Sequence, residues 1–443
     1  MTKRTFSAAV GSVAVGALLL PIAATAQPLP DDGGATPLIV TGTRAPDPVP
    51  ADQVGGSLTV IDPQALVQRQ AREISDILRD VPGLAVSGIA GQTQVRIRGT
   101  EANHTLVLID GIEVSDPFFG EFDFGSLAID QAARIEVLRG QQSALYGSDA
   151  IGGVIHYITL SGSEAPGLQM RAEGGSFGTF NTAARYAGVA GDFDYALSAT
   201  YLGTDGTVGT RGGTRDLDKT SAALSVNTRW TPAPNVRLRF VGRWSETESE
   251  FNNQDFLAGS LTFGFAVDSP GTYVENEAIY ALVGGEVDLL DGRWTHSITG
   301  QLADIDRVGF SNDIENSGNE GSRLKASYVS SLRLGSERLR HTITFAGDWE
   351  RERFRNTTPG GFAFTGRRQV RNFGLVAEYG LVVDERLSVG WAVRWDDNSL
   401  FDDTTSYRVH GSYAFDFGLR ARAAAGSGIK NPGFFELFGF VDG

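Results

Sequence analysis

The 443-residue chain contains no cysteine, which excludes disulfide staples, thiolate metal sites and thiol catalysis. Histidine is nearly as scarce. The five, His104, His156, His296, His341 and His410, never stand two together at helical ligand spacing. Lysine occurs only at Lys3, Lys219, Lys325 and Lys430. The formal net charge of −15 argues against a nucleic-acid partner, which calls for a basic footprint. Beyond the first residues no stretch approaches the roughly 20 apolar residues of a spanning helix. No Ser/His/Asp set, paired catalytic carboxylates or metal cluster suggests an enzyme.

What is present begins with a leader. Lys3 and Arg4 precede an apolar stretch from Phe6 to Leu20, and Ala24-Thr25-Ala26 supplies a small-x-small cleavage site before Gln27. This pattern is that of a secretory signal peptide over residues 1–26, so the protein is expected to be exported. Glycine is abundant, at 56 residues, and aromatics make up 10% at a mean hydropathy of −0.12. Such a composition suits soluble domains and an outer-membrane barrel alike.

Residues 27–160 read as a small α+β domain. Asp62-Pro63 is a helix N-cap followed by proline at the first helical position. Ile74, Ile77, Leu78 and Val81 then recur at helical spacing until Pro82-Gly83. Short strands are expected over Gln94–Arg98, Leu106–Ile109, Ile112–Val114 and Arg134–Leu138. The middle two flank Asp110-Gly111, a strong hairpin signal.

From about Gly167 the period changes to two. Val236, Leu238 and Phe240 alternate with arginines, and Leu387, Val389, Trp391, Val393 and Trp395 alternate with Ser388, Gly390, Ala392, Arg394 and Asp396. Similar segments recur at Ala222–Trp230, Tyr195–Tyr201, Leu324–Leu334, Ile343–Trp349, Phe373–Val383 and Tyr407–Phe415. Long loops (Gly203–Asp218, Glu246–Glu277, Glu352–Arg367) alternate with tight turns such as Ala233-Pro234 and Asp291-Gly292. Long segments, one apolar face with aromatics near its ends, and loops long on one side only are the signature of a transmembrane β-barrel.

Three stretches of the first domain resemble the plug of a TonB-dependent outer-membrane receptor. Leu38-Ile39-Val40-Thr41-Gly42 is similar to the family's energy-coupling box. Val95 to Thr100 (VRIRGT) with His104 to Gly111 (HTLVLIDG) is the second stretch, and Arg134 to Thr159 (RIEVLRGQQSALYGSDAIGGVIHYIT) the third. Gly428 to Leu437 (GIKNPGFFEL) resembles a later barrel strand and turn. Gln141 stands where members often carry proline, and His156-Tyr157 replaces a more usual asparagine and aliphatic pair. Within the family the run RGTEANHTLVLIDG sits nearest to cobalamin receptors.

The resemblance implies an N-terminal α+β plug followed by an antiparallel transmembrane barrel. Its domains would be a signal peptide (1–26), a periplasmic segment with the box (27–50), the plug (51–160) and a partial barrel (161–443). About thirteen strand candidates stand against the ~22 of plugged transporters, so the chain is expected to be a C-terminally truncated receptor. Implied partners are the periplasmic domain of TonB, outer-membrane lipid and a small organic or metal-chelate ligand, with the protein a monomer. Cobalamin leads, a ferric siderophore follows, and a non-transporting remnant is the competing class. A soluble β-rich exported enzyme is a distant third reading.

Residue roles follow. Prolines at 37, 46, 48 and 50 keep residues 38–42 out of the plug sheet, leaving their backbone groups free for an added strand. The resemblance implies that Arg98 and Arg139 face carboxylates of the wall, with Glu436 as partner. Two loops qualify for ligand contact, Val86–Gln92 and Ser115–Phe124, through Ser87, Gln92, Ser115, Asp116, Phe118 and Phe119. Those phenylalanines suit either stacking on a flat ligand or packing on the wall. Asp205, Asp216 and Asp218 share one long loop and could hold calcium, or simply be a solvated acidic tip.

Overall fold

A computed structural model describes residues 38–129, 133–358 and 366–439, all within one unit running from Thr36. The expected signal peptide lies outside the described residues. Among those described, no helix is long and apolar enough to cross a membrane, which says nothing about strands.

The first half contains β1 (Leu38–Ile39), β2 (Val49–Pro50), β3 (Ser57–Ile61), α1 (Pro63–Arg69), α2 (Ile74–Leu78), β4 (Leu84–Ile89), β5 (Gln92–Ile97), β6 (Thr105–Ile109), β7 (Ile112–Glu113), β8 (Ala133–Arg139), α3 (Ser143–Tyr146) and β9 (Gly153–Thr159). Asp62 caps α1 through a bond from the Ala65 amide at 2.7 Å. A five-stranded sheet runs β3-β8-β9-β6-β7, with only β6 and β9 parallel. At the β6–β7 turn both Asp110 (φ 51°) and Gly111 (φ 90°) are left-handed, as a two-residue hairpin of the primed kind requires. The stretch expected to be a loop over Val86–Gln92 is instead mostly strand. Ala90-Gly91 makes a second left-handed turn, so β4 and β5 pair as a separate hairpin.

The second half is one antiparallel sheet of 13 consecutive strands. It comprises β10 (Gly167–Gly174), β11 (Phe180–Ala190), β12 (Phe193–Thr204), β13 (Lys219–Ala233), β14 (Val236–Glu250), β15 (Tyr273–Leu289), β16 (Trp294–Ser311), β17 (Ile314–Gly335), β18 (Leu339–Asn356), β19 (Arg367–Val383), β20 (Leu387–Asn398), β21 (Thr404–Ala414) and β22 (Arg420–Gly426), followed by α4 (Phe434–Phe438). Among the described residues β10 and β22 do not pair with each other, so strand pairing does not close the wall. The expected long loops join β12 to β13, β14 to β15 and β18 to β19. The β16–β17 connection departs from that pattern, because Asn312-Asp313 turns tightly at the same end.

The two faces of this wall are inverted relative to a soluble sheet. On β20, Trp391, Val393 and Trp395 are exposed while Ala392, Arg394 and Asp396 are buried. Leu224, Phe240, Ile298, Phe345 and Leu375 are exposed likewise. Apolar out and polar in is the arrangement a lipid-facing barrel needs. The polar face covers the plug. Leu66, Ile77, Leu78, Ile135, Val137, Ile155 and Tyr157 of the plug share one apolar core with Val241, Tyr280, Leu282 and Ile305 of the wall.

Candidate functional site

The coupling segment does not float. Leu38 and Ile39 pair with Pro50 and Val49, outside the five-stranded sheet, and Ile39 is fully buried beside Val54 and Leu138. The next residues are clasped by one carboxylate. Glu136, fully buried on β8, accepts from the Val40 amide at 3.1 Å, the Thr41 amide at 3.0 Å and Thr41 Oγ1 at 2.5 Å. Arg134 Nε reaches the same carboxylate at 3.2 Å and supplies its countercharge. The expectation of free backbone groups over 38–42 is therefore corrected. Proline keeps the segment out of the main sheet, but a side chain takes over the pairing role.

His156 stands behind this clasp. Its Nε2 accepts from the Gly111 amide at 3.0 Å, which assigns the ring proton to Nδ1, 3.4 Å from Thr41 Oγ1. Burial, with Arg239 and Arg134 nearby, pushes its pKa down to about 3, so the ring is neutral. Tyr146 closes the cage by donating to the Thr41 carbonyl at 3.2 Å. Just beyond, the Arg44 amide donates to Glu378 at 2.8 Å and its guanidinium to Asp348 at 2.5 Å, so the segment holds plug and wall together.

Charge pairs between plug and wall lie elsewhere than expected. Arg139 donates to the Pro82 carbonyl and to Thr59, and Arg98 is exposed. Glu436 accepts from its own helix start at Gly433 and from Asn103 at 3.2 Å. The three do not meet, because α4 folds Glu436 back on its N-terminus. At Glu113 the polarity is reversed: this plug carboxylate meets wall Arg323 at 3.4 Å and Lys325 at 2.8 Å. Arg323 also binds Glu352 at 2.5 Å and the Ser115 carbonyl at 2.8 Å, and Lys325 binds Glu350 at 2.8 Å. Burial would raise the Glu113 carboxyl, but Arg323 and Lys325 outweigh it and hold the pKa down at about 2. A second knot joins Asp348, Arg394 and Asp396, and Lys430 reaches plug Asp149 at 2.9 Å. Sequence reasoning missed these wall residues and Glu136. The available signals were a carboxylate inside the apolar run of β8, and two cations on the face of β17 opposite Leu324 and Tyr328.

The expected ligand loops are placed as follows. Phe118 is buried, stacked on Phe354 at 4.4 Å and edge-on to Phe119 and Phe435. Of the two readings for these rings, the structure shows packing against the wall. Ser115 is fully buried, and Asp116 accepts from the Phe118 amide at 2.8 Å and from Asn319 at 3.3 Å. Gln92 accepts from Arg307 at 2.7 Å, and Ser87 accepts from Arg96 at 3.0 Å. A hollow of about 850 Å³, part of it open solvent, lies between Pro117, Gly120, Asp149, Glu352, Lys430 and Phe434. Burial and the charges of Glu250, Asp205 and Asp216 raise the Asp218 carboxyl. No group of three or more histidines or carboxylates that could hold a metal occurs among the described residues.

Comparison with known proteins agrees with this architecture. The TonB-dependent receptor plug domain matches residues 50–154, and the TonB dependent receptor-like β-barrel matches residues 166–442. The chain is 27% identical over 440 residues to the vitamin B12 transporter BtuB of Photobacterium profundum, covering 96% of this chain and 67% of that protein. It superposes with a TM-score of 0.68 on the siderophore receptor PirA from Acinetobacter baumannii, at 18% identity, covering 86% of this chain and 62% of that one. A mutant of the ferric enterobactin receptor PfeA from Pseudomonas aeruginosa, in complex with enterobactin, gives 0.68 at 19% identity, covering 87% and 64%. The chain thus spans under two thirds of those solved receptors, whose likeness is one of fold. With both halves matched in order, the chain belongs to the TonB-dependent receptors of the outer membrane, a family of receptors and transporters rather than enzymes.

Proposed function

We propose that the protein takes part in TonB-driven uptake of a scarce bulky ligand, with cobalamin as cargo. The observation that carries the coupling half is the clasp on residues 38–42. Three hydrogen bonds from Val40 and Thr41 to the single carboxylate of Glu136 fasten the chain just after a two-residue strand that lies outside the plug sheet. Such a fastening peels one bond at a time, and the freed backbone can pair with an added strand of TonB. Cobalamin is supported by the 27% identity to a vitamin B12 transporter along 96% of the chain. A ferric siderophore is the second reading, favoured by the fold neighbours, a siderophore receptor and a ferric enterobactin receptor.

The test uses a Gram-negative strain that requires cobalamin and lacks its own transporter, with and without TonB. Growth on limiting cobalamin that depends on both this gene and TonB is the expected result. Uptake of ferric siderophore with none of cobalamin would transfer the proposal to the second reading. Val40→Pro should abolish that uptake while leaving ligand binding intact, since proline removes the Val40 donor. Normal uptake by this variant would remove residues 38–42 from the coupling role.

A further inference from the structure

The outer face of β18 and β19 changes character abruptly. Apolar rows come first: Phe345 opposite Ala377, Gly347 opposite Leu375 with Trp395 beside it, then Trp349 opposite Phe373. Phe345, Leu375, Trp395, Trp349 and Phe373 are all exposed. The next three rows are Arg351 opposite Arg371, Arg353 opposite Gln369, and Arg355 opposite Arg367. One step along the strands, about 7 Å, thus separates the aromatic row from the first two of five guanidinium groups, the other three following in the next two rows.

These arginines are poorly served by the protein. Like charges directly opposite each other across strands are destabilising, and here two such pairs stand two rows apart. Arg355 is paired with Glu320 on β17. Among the described residues no carboxylate lies within ion-pair distance of Arg351, Arg353, Arg367 or Arg371. Arg351 rests over the Trp349 ring at 5.9 Å, and Gln369, turned to suit, accepts from Arg371 at 2.9 Å. Asp397, opposite Phe373, is the other carboxylate nearby, one row toward the apolar belt. The inward residues of the same strands, Glu350 and Glu352, are committed to Lys325 and Arg323.

The patch sits at the long-loop end of the wall, the outer side in barrels of this kind. Exposed aromatics mark the edge of hydrocarbon, so the arginines fall at headgroup level of the outer leaflet. Guanidinium is the group best matched to phosphate, through paired N–H donors. We propose that the outer face of β18–β19 binds the phosphorylated headgroup of an outer-leaflet lipid, with Arg351, Arg353, Arg367 and Arg371 as its donors. The anion relieves the cross-strand repulsion, and the acyl chains lie along Leu375, Phe373 and Trp349.

The test is native mass spectrometry of the full chain in neutral detergent, titrated with bis-phosphorylated lipid A, with the same lipid after phosphatase treatment, and with inorganic phosphate. Wild type should bind the phosphorylated lipid at least 10-fold tighter than the dephosphorylated one. Arg351→Gln with Arg371→Gln should lose about 10-fold, whereas Arg351→Lys with Arg371→Lys should keep most of the binding. Arg338→Gln, an exposed arginine at the opposite end of the wall paired with Asp384, should change nothing. Far-ultraviolet circular dichroism checks that each variant is folded. Equal binding of both lipid forms, or unchanged binding in the double glutamine variant, would overturn the proposal. Displacement by millimolar inorganic phosphate would also overturn it, in favour of a soluble-anion site.

Discussion

The plug and the wall bury opposite kinds of side chain. In the plug, aliphatic residues such as Ile77, Val107 and Ile155 go inside, as in any soluble α+β domain. In the wall the buried face carries Arg323, Asp348, Arg394, Asp396 and Arg408, while Leu224, Trp391 and Trp395 face outward. The plug therefore has two solvents to satisfy. Its own core is dry, and its outer surface meets a charged lining instead of water. Plug Glu113 owes its ionised state to wall Arg323 and Lys325, which share that task with their own wall partners Glu352 and Glu350. The lesson is that the plug docks by charge complementarity over a smaller shared apolar core, an arrangement compatible with being displaced.

The largest expected effect comes from breaking that dependence. Arg323→Ala strands Glu352 without its cation and leaves Glu113 to Lys325 alone, at a cost of about 3–5 kcal/mol in urea unfolding of the detergent-folded chain. A loss below about 1 kcal/mol would mean that water already serves these carboxylates.

Slightly smaller is a violation of the outer face. Leu224→Arg should cost about 2–4 kcal/mol in a bilayer and far less in a polar solvent, the mark of a lipid-facing position. Equal cost in both would place Leu224 in a protein contact.

Acid should loosen the clasp behind the coupling segment. His156 titrates at about 3 when folded and near 6.5 when unfolded, so between those values the unfolded chain takes up the proton first. Stability falls as pH drops below 6.5, by roughly 2 kcal/mol at pH 5. The groups that face the ring are Arg239, Arg134, Thr41 and the Gly111 amide, with Glu136 opposite across the strands. His156→Asn should flatten this part of the profile, measured by thermal unfolding from pH 7 to pH 5.

The smallest effect is local to one turn. Gly111→Ala has room for its methyl, whose nearest neighbour is Leu282 at 3.9 Å, so only the left-handed backbone (φ 90°) is penalised. The cost should be about 1–2 kcal/mol, with the plug otherwise unchanged by amide exchange.

Local chemistry was legible in the sequence, and long-range contacts were not. Asp110-Gly111 announces its hairpin because two adjacent left-handed positions admit few residues. Strand alternation from Gly167 onward survives because each wall residue meets lipid or the lining, with nothing between. By contrast β4 hides within a run carrying Gly88, Ala90 and Gly91, which read as loop until β5 pairs with it. The clasp joins Val40 to Glu136 across 96 residues, beyond any local pattern. Glu436 misled because its partner was assigned by analogy, while a five-residue helix turns it back onto Gly433.

The central claim, a charged lining that encloses the plug and an apolar face that meets lipid, can be tested at two adjacent residues. The chain has no native cysteine, so a single introduced thiol reports alone. Ala392 packs against Ala144 and Leu145 of α3, and its neighbour Val393 points outward. With a fluorophore on Val393→Cys or Ala392→Cys in bilayers, quenching by a lipid-confined nitroxide should be strong at 393 and weak at 392. Strong quenching at 392, or equal quenching at both, would contradict the account.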